Sequence, residues 1–285
     1  MAVVPIIIPF FKEHELLRQC RAAIDAQTYR NCETFVRDNT HDNILYTAAI
    51  NEGLAKYCYR PDVEYVIVLN QDAKMEPDCV RQLLAFMEAH PECGIACPLQ
   101  YQVGPGGRKQ VTWGGSLQAF PTGVHRADPF ESYQNPFETW WANGACMMIR
   151  VQTVREAGLF DKNMRFICSD TDFSFTARAR GWKVFVVPQA LCEHSLGASG
   201  RAGRTWIDLV KLKDALYFTE KWLTGDVYRR IAMEGAGLTP ATVRAERRGT
   251  ILEIALMELQ LGERERSERD DYPRWRTGMH IPAPR

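Results

Sequence analysis

The chain has 285 residues, 46% hydrophobic and 25% charged, enough to bury a large core without support from a disulfide or a metal. Lys plus Arg and Asp plus Glu both total 35; this balance gives no electrostatic reason to expect a nucleic-acid or acidic-membrane partner, so a charged ligand must be held locally. Nine cysteines with no C-x-x-C pair, an opening Ala2 to Phe11 that reads as strand rather than signal segment, and no apolar run near the roughly 20 residues of a membrane span favour a cytoplasmic protein with at most peripheral contact with the membrane.

Val3 to Pro9 is a β-branched run of the kind buried on both faces of a parallel sheet. Glu13 to Gln27 carries Leu16, Leu17, Cys20, Ala23 and Ile24 at helical spacing, and Glu33 to Val36 reads as a second strand. Ile44 to Tyr57 is helical, Val63 to Leu69 is another two-sided apolar strand, and helix Pro77 to Ala89 and strand Gly94 to Pro98 follow. This alternation predicts an α/β fold with a mostly parallel sheet flanked by helices, whose ligands lie off the carboxyl ends of the strands. Asp38 and Asp72 both fall there.

From Gln102 to Pro136 the pattern breaks into Gly, Pro and polar residues with Trp113 and Phe120, a long loop region with room for a hairpin. Order returns at Ala145 to Arg150, with short helices at Val151 to Ala157 and Asp172 to Ala179, and a strand from Lys183 that ends at Pro188. Trp206 to Leu223 and Thr239 to Leu261 are amphipathic helices, and the stretch from Gly262 to Pro284 reads as a poorly ordered tail.

At Leu69-Asn70-Gln71-Asp72 a doubly buried strand delivers a carboxylate to the sheet rim. A divalent cation bridging a diphosphate needs such an oxygen ligand, although taken alone Asp72 equally suits a turn or the cap of the next helix. Ser169-Asp170-Thr171-Asp172 opens a helix, and taken alone reads as its cap.

In combination these segments resemble the family-2 glycosyltransferases of the GT-A fold, in a rhamnosyltransferase-like subgroup. Ile6-Ile7-Ile8-Pro9-Phe10-Phe11-Lys12-Glu13 is similar to the family's V-I-I-P-x-Y-N-E, with Phe and Lys in place of Tyr and Asn. Asp38-Asn39-Thr40 resembles D-N-x-S, Asn43 through Asn51 to Gly53 keeps the spacing of N-x-G-x-A-x-x-x-N-x-G, and Leu69 to Asp72 resembles the L-N-x-D variant of D-x-D. Asn143 to Met147 is similar to the G-A-C-M-L loop. Gly158-Leu159-Phe160-Asp161, Ser169 to Asp172, Arg178, Gly181, Pro188 and His194 follow G-x-F-D, E-D-x-D, R-x-x-x-G, P and H in order, with Arg178 and Gly181 one residue closer than that pattern. The likeness covers Val4 to about Ser199 and departs from the family at Leu45, Asn70 and Ser169.

The resemblance implies a transferase domain over 1–199, with a nucleotide-sugar half (1–100) and an acceptor and catalytic half (101–199), followed by a helical extension over 200–285. It implies a donor site for a UDP-, dTDP- or GDP-sugar lined by Pro9, Phe10, Glu13, Asp38, Asn43, Asn51, Asn70, Gln71 and Asp72. Phe10 would stack on the nucleobase and Asp38 would accept a base N–H. Asp72 and His194 would hold Mg or Mn, and Asp170, with Asp172 as runner-up, would act as the base of an inverting transfer. Trp113, Gly114, Trp141 and Gly144 fall on the acceptor side, facing a glycan, glycolipid or other hydroxyl acceptor. Arg201 and Arg204 could clamp phosphate from a loop, and Leu209, Leu212, Leu216, Ile251, Ile254, Ala255 and Leu259 could cover the domain or pair two subunits. A catalytically idle binder of the same fold is the competing reading, motivated by Asn70 and Ser169. A nucleotidyltransferase or dehydrogenase is set aside, because the first strand lacks a G-x-G-x-x-G turn.

Overall fold

A computed structural model describes residues 2–116, 126–195, 206–223 and 240–264. Phe120, Arg201 and Arg204 and most of the tail after Gly262 lie outside them. The chain opens with strand β1 (Val4–Phe10), helix α1 (His14–Asp25), strand β2 (Cys32–Asp38) and helix α2 (Leu45–Tyr57). Strand β3 (Tyr65–Leu69), the two-residue β4 (Lys74–Met75), helix α3 (Cys79–Ala89) and strand β5 (Cys93–Val103) follow. Next come β6 (Lys109–Trp113), β7 (Phe137–Glu138), β8 (Cys146–Arg150), α4 (Val151–Ala157), α5 (Ser169–Ala179) and β9 (Lys183–Glu193). Helix α6 (Trp206–Phe218) continues into a π turn at Thr219–Leu223, and α7 spans Pro240–Arg264.

These strands form one sheet in the order β2-β1-β3-β8-β5-β9-β4, with β6 on β5 and β7 on β9. The long strands β1, β2, β3, β5 and β9 run one way, and β8 is inserted antiparallel between β3 and β5. Strand pleating sends alternate side chains to opposite faces. Ile7, Val66 and Val68 enter the cluster under α2, α4 and α5, whereas Ile6, Ile8, Ile67 and Leu69 enter the one under α1 and α3. Each fully buried Ile or Leu contributes about 1.5–3 kcal/mol over its exposed state, so β1 and β3 are pinned in register from both sides. Gly53 lets α2 press onto β1, since a Cβ there would lie 2.5 Å from Ile7 Cγ2.

Two strand ends are revised. The Gln102–Pro136 stretch contains a true β5–β6 hairpin, so β5 runs to Val103 instead of stopping at Pro98. The last strand does not end at Pro188: the pairing of β9 with β5 shifts between Val187 and Leu191, which absorbs the proline, and the strand continues to Glu193. The segment after residue 205 joins the main core, because Phe218 is fully buried with its ring centroid 5.6 Å from that of Phe175.

Helix α7 then packs on α6 through Ile254 and Met257, with Lys213 paired to Glu258 at 2.5 Å. Of the tail's apolar positions, Leu216 and Ile254 are buried, and Leu252, Leu256 and Leu259 face outward. Among the described residues no helix is long and apolar enough to cross a membrane.

Candidate active site

The end of β3 and the start of β8 form the rim from which the site is built. Leu69 pairs with Cys146, and Asn70 N–H donates to the Ala145 carbonyl at 2.8 Å. Asn143 closes the turn before β8, its Oδ1 accepting the Ala145 N–H at 2.8 Å. The Asn143–Ala145 turn therefore has the Asn70–Asp72 loop on one flank. On the other flank it grips Asp170, whose Oδ2 accepts the Gly144 N–H at 2.8 Å.

On the donor flank, the β4–β9 pairing sets Lys74 opposite Glu193 and so delivers His194 to Asp72. The His194 Nε2 lies 3.6 Å from Asp72 Oδ1. The backbone of His194 is fixed on both sides: its N–H donates to Tyr101 and its carbonyl accepts the Thr112 hydroxyl. Burial depresses the imidazole below its ordinary value against the opposing pull of the Asp72 charge, which favours the neutral, ligating form. Asp72, Lys74, Glu193, His194 and Ser195 line a cleft of about 130 Å³ with Leu16 and Gln19. Two buried polar atoms here, Asn70 Oδ1 and His194 Nδ1, have no partner among the described residues. Buried polar atoms are seldom left so, and each calls for an explanation such as a ligand, ion or water. Among the described residues no trio of His, Cys, Asp or Glu is arranged as a complete metal cage. The donor set fits a cation that takes most of its ligands from phosphate and water, as Mg does.

The other residues expected on the donor side divide by what they already hold. Asp38 sits at the exposed end of β2, where hydrogen bonds from the Thr40 side chain and N–H keep its carboxyl below the usual range. Asn43 Oδ1 accepts the Leu45 N–H at the start of α2, and Asn51 exchanges two hydrogen bonds with the Phe160 backbone. Gln71 does the same with the Phe11 backbone, at 2.6 and 3.2 Å, and so ties the loop after β1 to the β3 rim. Pro9 lies within β1, and Glu13 is exposed just before α1.

Phe10 does not match its expected role. Its ring is 2% exposed and packs on His14, whereas the next residue, Phe11, is 40% exposed with Lys12 Nζ 4.9 Å from its ring centroid. The pleat of β1 continues through Phe10 and turns it inward, so the aromatic face open at the rim belongs to Phe11. Aligning the P-x-Y-N pattern position by position would have pointed to Phe11 from the sequence.

Asp170 is partly exposed in the first turn of α5. Besides Gly144, its own neighbour Thr171 donates an N–H to Oδ1 at 2.8 Å. Burial nevertheless outweighs these hydrogen bonds and raises its pKa above the usual carboxylate value, the direction a general base needs. Tyr46 donates its hydroxyl to the Gly144 carbonyl at 2.9 Å. Gly144 has no room for a side chain, since a Cβ would lie 2.5 Å from the Tyr46 hydroxyl and 3.1 Å from Asp170. Ser169, which departs from the family's Glu, is buried and bonded to the Thr47 hydroxyl at 2.8 Å.

Asp172 is not available as a second base. It is 2% exposed, its Oδ1 accepts the Trp222 Nε1–H at 2.6 Å, and Lys221 Nζ lies 2.7 Å away. Two acceptor-side expectations are corrected as well. Trp113 and Trp141 are buried in the core with ring centroids 5.8 Å apart, so neither has a face open to a sugar. Gly114 is packed against Tyr133, leaving no space for a Cβ. Sequence reasoning missed Tyr46, Thr47, Lys221 and Trp222, because hydroxyls and long side chains on distant segments carry no local spacing signal.

Comparisons with known proteins place the chain. The family model for glycosyl transferase family group 2 matches residues 65–248. Two relatives from Mycobacterium tuberculosis strains, CDC 1551 / Oshkosh and ATCC 25618 / H37Rv, are each named N-acetylglucosaminyl-diphospho-decaprenol L-rhamnosyltransferase. Each is 26% identical over 184 residues, 57% of this chain and 59% of the relative's length. Among solved structures, GalNAc-T7 with UDP, GalNAc and Mn2+ superposes with a TM-score of 0.60 at 13% identity, over 80% of this chain and 50% of that one. This likeness shows a shared GT-A fold. Because the family model spans most of the chain, including the Asp72 rim and the Asp170 helix, the protein belongs to glycosyl transferase family group 2.

Proposed function

We propose that the protein transfers a sugar, with inversion, from a nucleotide-diphosphate donor to an acceptor hydroxyl. One observation carries the reading: a single turn, Asn143–Ala145, has the Asp72–His194 rim on one flank and the base candidate Asp170 on the other. In this reading Asp38 accepts a nucleobase N–H, and Phe11, in place of Phe10, provides the stacking face.

Asp72 and His194 would hold a divalent cation, Mg or Mn, and Asn70 Oδ1 is free to accept from the ribose or a bound water. When bound, such a cation supplies positive charge that offsets the departing diphosphate. Asp170 takes the proton of the acceptor hydroxyl as its oxygen bonds to the anomeric carbon and the bond to the diphosphate breaks on the opposite face. The Gly144 N–H and the first turn of α5 hold the Asp170 carboxylate in place before the proton arrives.

The chain's match spans 59% of the length of its mycobacterial relatives, whose name makes an L-rhamnosyl donor and a lipid-diphosphate-linked sugar acceptor the first to test. In that assay Asp170→Asn should reduce transfer by roughly two to four orders of magnitude while donor binding survives. Undiminished transfer by Asp170→Asn would remove the base assignment, and donor binding with no transfer by the wild type would favour the idle-binder reading.

A further inference from the structure

The segment Trp206–Leu223 makes a set of contacts to the base loop that packing alone does not require. Asp214, on α6, is 1% exposed, and its Oδ2 accepts two backbone N–H groups, from Phe166 at 2.7 Å and Ile167 at 3.0 Å. The next residue, Cys168, is held in the left-handed region at φ 67 and forms the cap of α5. Such a conformation costs a non-glycine residue free energy and persists only where its surroundings over-determine it. Asp170 follows two residues later.

On the far side of Asp170 the same C-terminal segment takes hold again. Trp222 and Lys221 both bond Asp172 Oδ1, and Lys221 also reaches Asp161 Oδ2 at 2.9 Å, anchoring the start of the loop. From α2, Thr47 N–H donates to the Arg165 carbonyl and its hydroxyl to Ser169. The loop from Asp161 to Asp172 is therefore tied down before and after Asp170, mostly by residues beyond the last motif the sequence resemblance covers.

We propose that α6 and its π turn form the fixed backing of the catalytic base, with Asp214 as a positioning residue that sets the Phe166–Cys168 turn and so aims Asp170. The inference rests on the transferase reading above. Asp214 itself touches no reacting atom; it acts through two N–H groups. An acceptor oxygen at this position is therefore what matters, and the negative charge is incidental. Consistent with that, burial pushes Asp214 up to about 6, so its ionised form is tolerated there, not favoured.

The test uses the full chain and nucleoside diphosphate release from a panel of UDP-, dTDP- and GDP-sugars, with amide hydrogen exchange of the 161–172 peptides followed in parallel. Asp214→Ala should lower kcat about tenfold or more, as a misaimed base does, while donor KM stays within about twofold. Exchange should speed up in that loop and stay unchanged in β1 and β3. Asp214→Asn keeps an acceptor oxygen and should recover most of kcat, and Trp222→Phe, which keeps an aromatic ring but loses the indole N–H, should lower kcat in the same direction. An unchanged kcat in Asp214→Ala overturns the proposal, as does an Asn variant as poor as Ala, or faster exchange across the whole sheet. A wild-type chain that releases no nucleoside diphosphate from any donor, with the loop protected as described, defeats the transferase reading itself and the proposal with it.

Discussion

Asp170 and Asp72 stand on opposite flanks of the same short turn and are held in opposite ways. Asp170 already has its hydrogen-bond donors, from Gly144 and Thr171, and its loop is tied to α2 and α6. Around Asp72 two buried polar atoms, Asn70 Oδ1 and His194 Nδ1, have no partner among the described residues, and the His194–Asp72 pair borders a cleft. In the proposed reading this is a division of labour: the base would be preorganised by the chain alone, and the donor rim would be completed only by what binds there. Preorganised groups are costly to disturb, and incomplete sites respond chiefly to ligand.

The largest effect is expected where the base is removed. Asp170→Asn should reduce kcat by roughly two to four orders of magnitude, the usual weight of a general base, with little change in donor affinity. Burial raises the Asp170 pKa, and only the deprotonated form can accept a proton. The wild-type rate should therefore fall as pH drops through that raised value, and a pH–rate profile of the Asn variant should lose this acid limb. Asp72→Ala should act on the other flank: donor binding weakens and its response to Mn or Mg disappears in titrations with and without EDTA. EDTA-insensitive activity that Asp72→Ala nonetheless removes would assign Asp72 to the sugar or ribose directly.

Intermediate effects sharpen the preorganised side. Gly144→Ala forces a methyl against the Tyr46 hydroxyl and toward Asp170, an overpacking worth about 1–3 kcal/mol in a denaturant melt, with kcat falling further than stability alone predicts. Asp214 is raised in the fold to about 6 from 3.8. For an acid with a raised folded pKa, the stabilising contribution is fully present below the unfolded value and is lost as pH rises through about 6. Two units correspond to about 3 kcal/mol, so Asp214→Asn should shift stability in favour of pH 8 over pH 4 relative to the wild type, read as melting temperatures of both chains at the two pH values. The smallest effect separates two neighbours. Phe11→Ala should raise donor KM by about 2- to 10-fold for a lost stack, whereas Phe10→Ala should lower stability with no specific change in donor KM.

Much of the fold was legible because its signals are local. The β-branched run from Val4 to Ile8 and the apolar Val66–Leu69 strand are buried on both faces as their composition requires. The errors arose where long-range pairing overrides local rules. Pro188 looked like a strand end and is instead accommodated by a register shift against β5. Trp113 and Trp141 looked like sugar platforms, and the core claimed them. Asp172 looked like a second base until Lys221 and Trp222, about fifty residues later in the chain, were seen to neutralise and bind it. The Asp72–His194 approach was expected from ordered motifs; the β4–β9 ladder that creates it is a tertiary fact that no spacing announces.

In the proposed reading a metal-bound nucleotide-sugar completes the Asp72 rim. The most direct test is a thermal-shift titration of the wild-type and Asp72→Ala chains with UDP-, dTDP- and GDP-sugars, each with and without Mn. At least one donor should raise the wild-type melting temperature, more so with Mn, and Asp72→Ala should lose the Mn-dependent part; a wild-type response flat to every donor in both conditions would rule out donor binding at this rim.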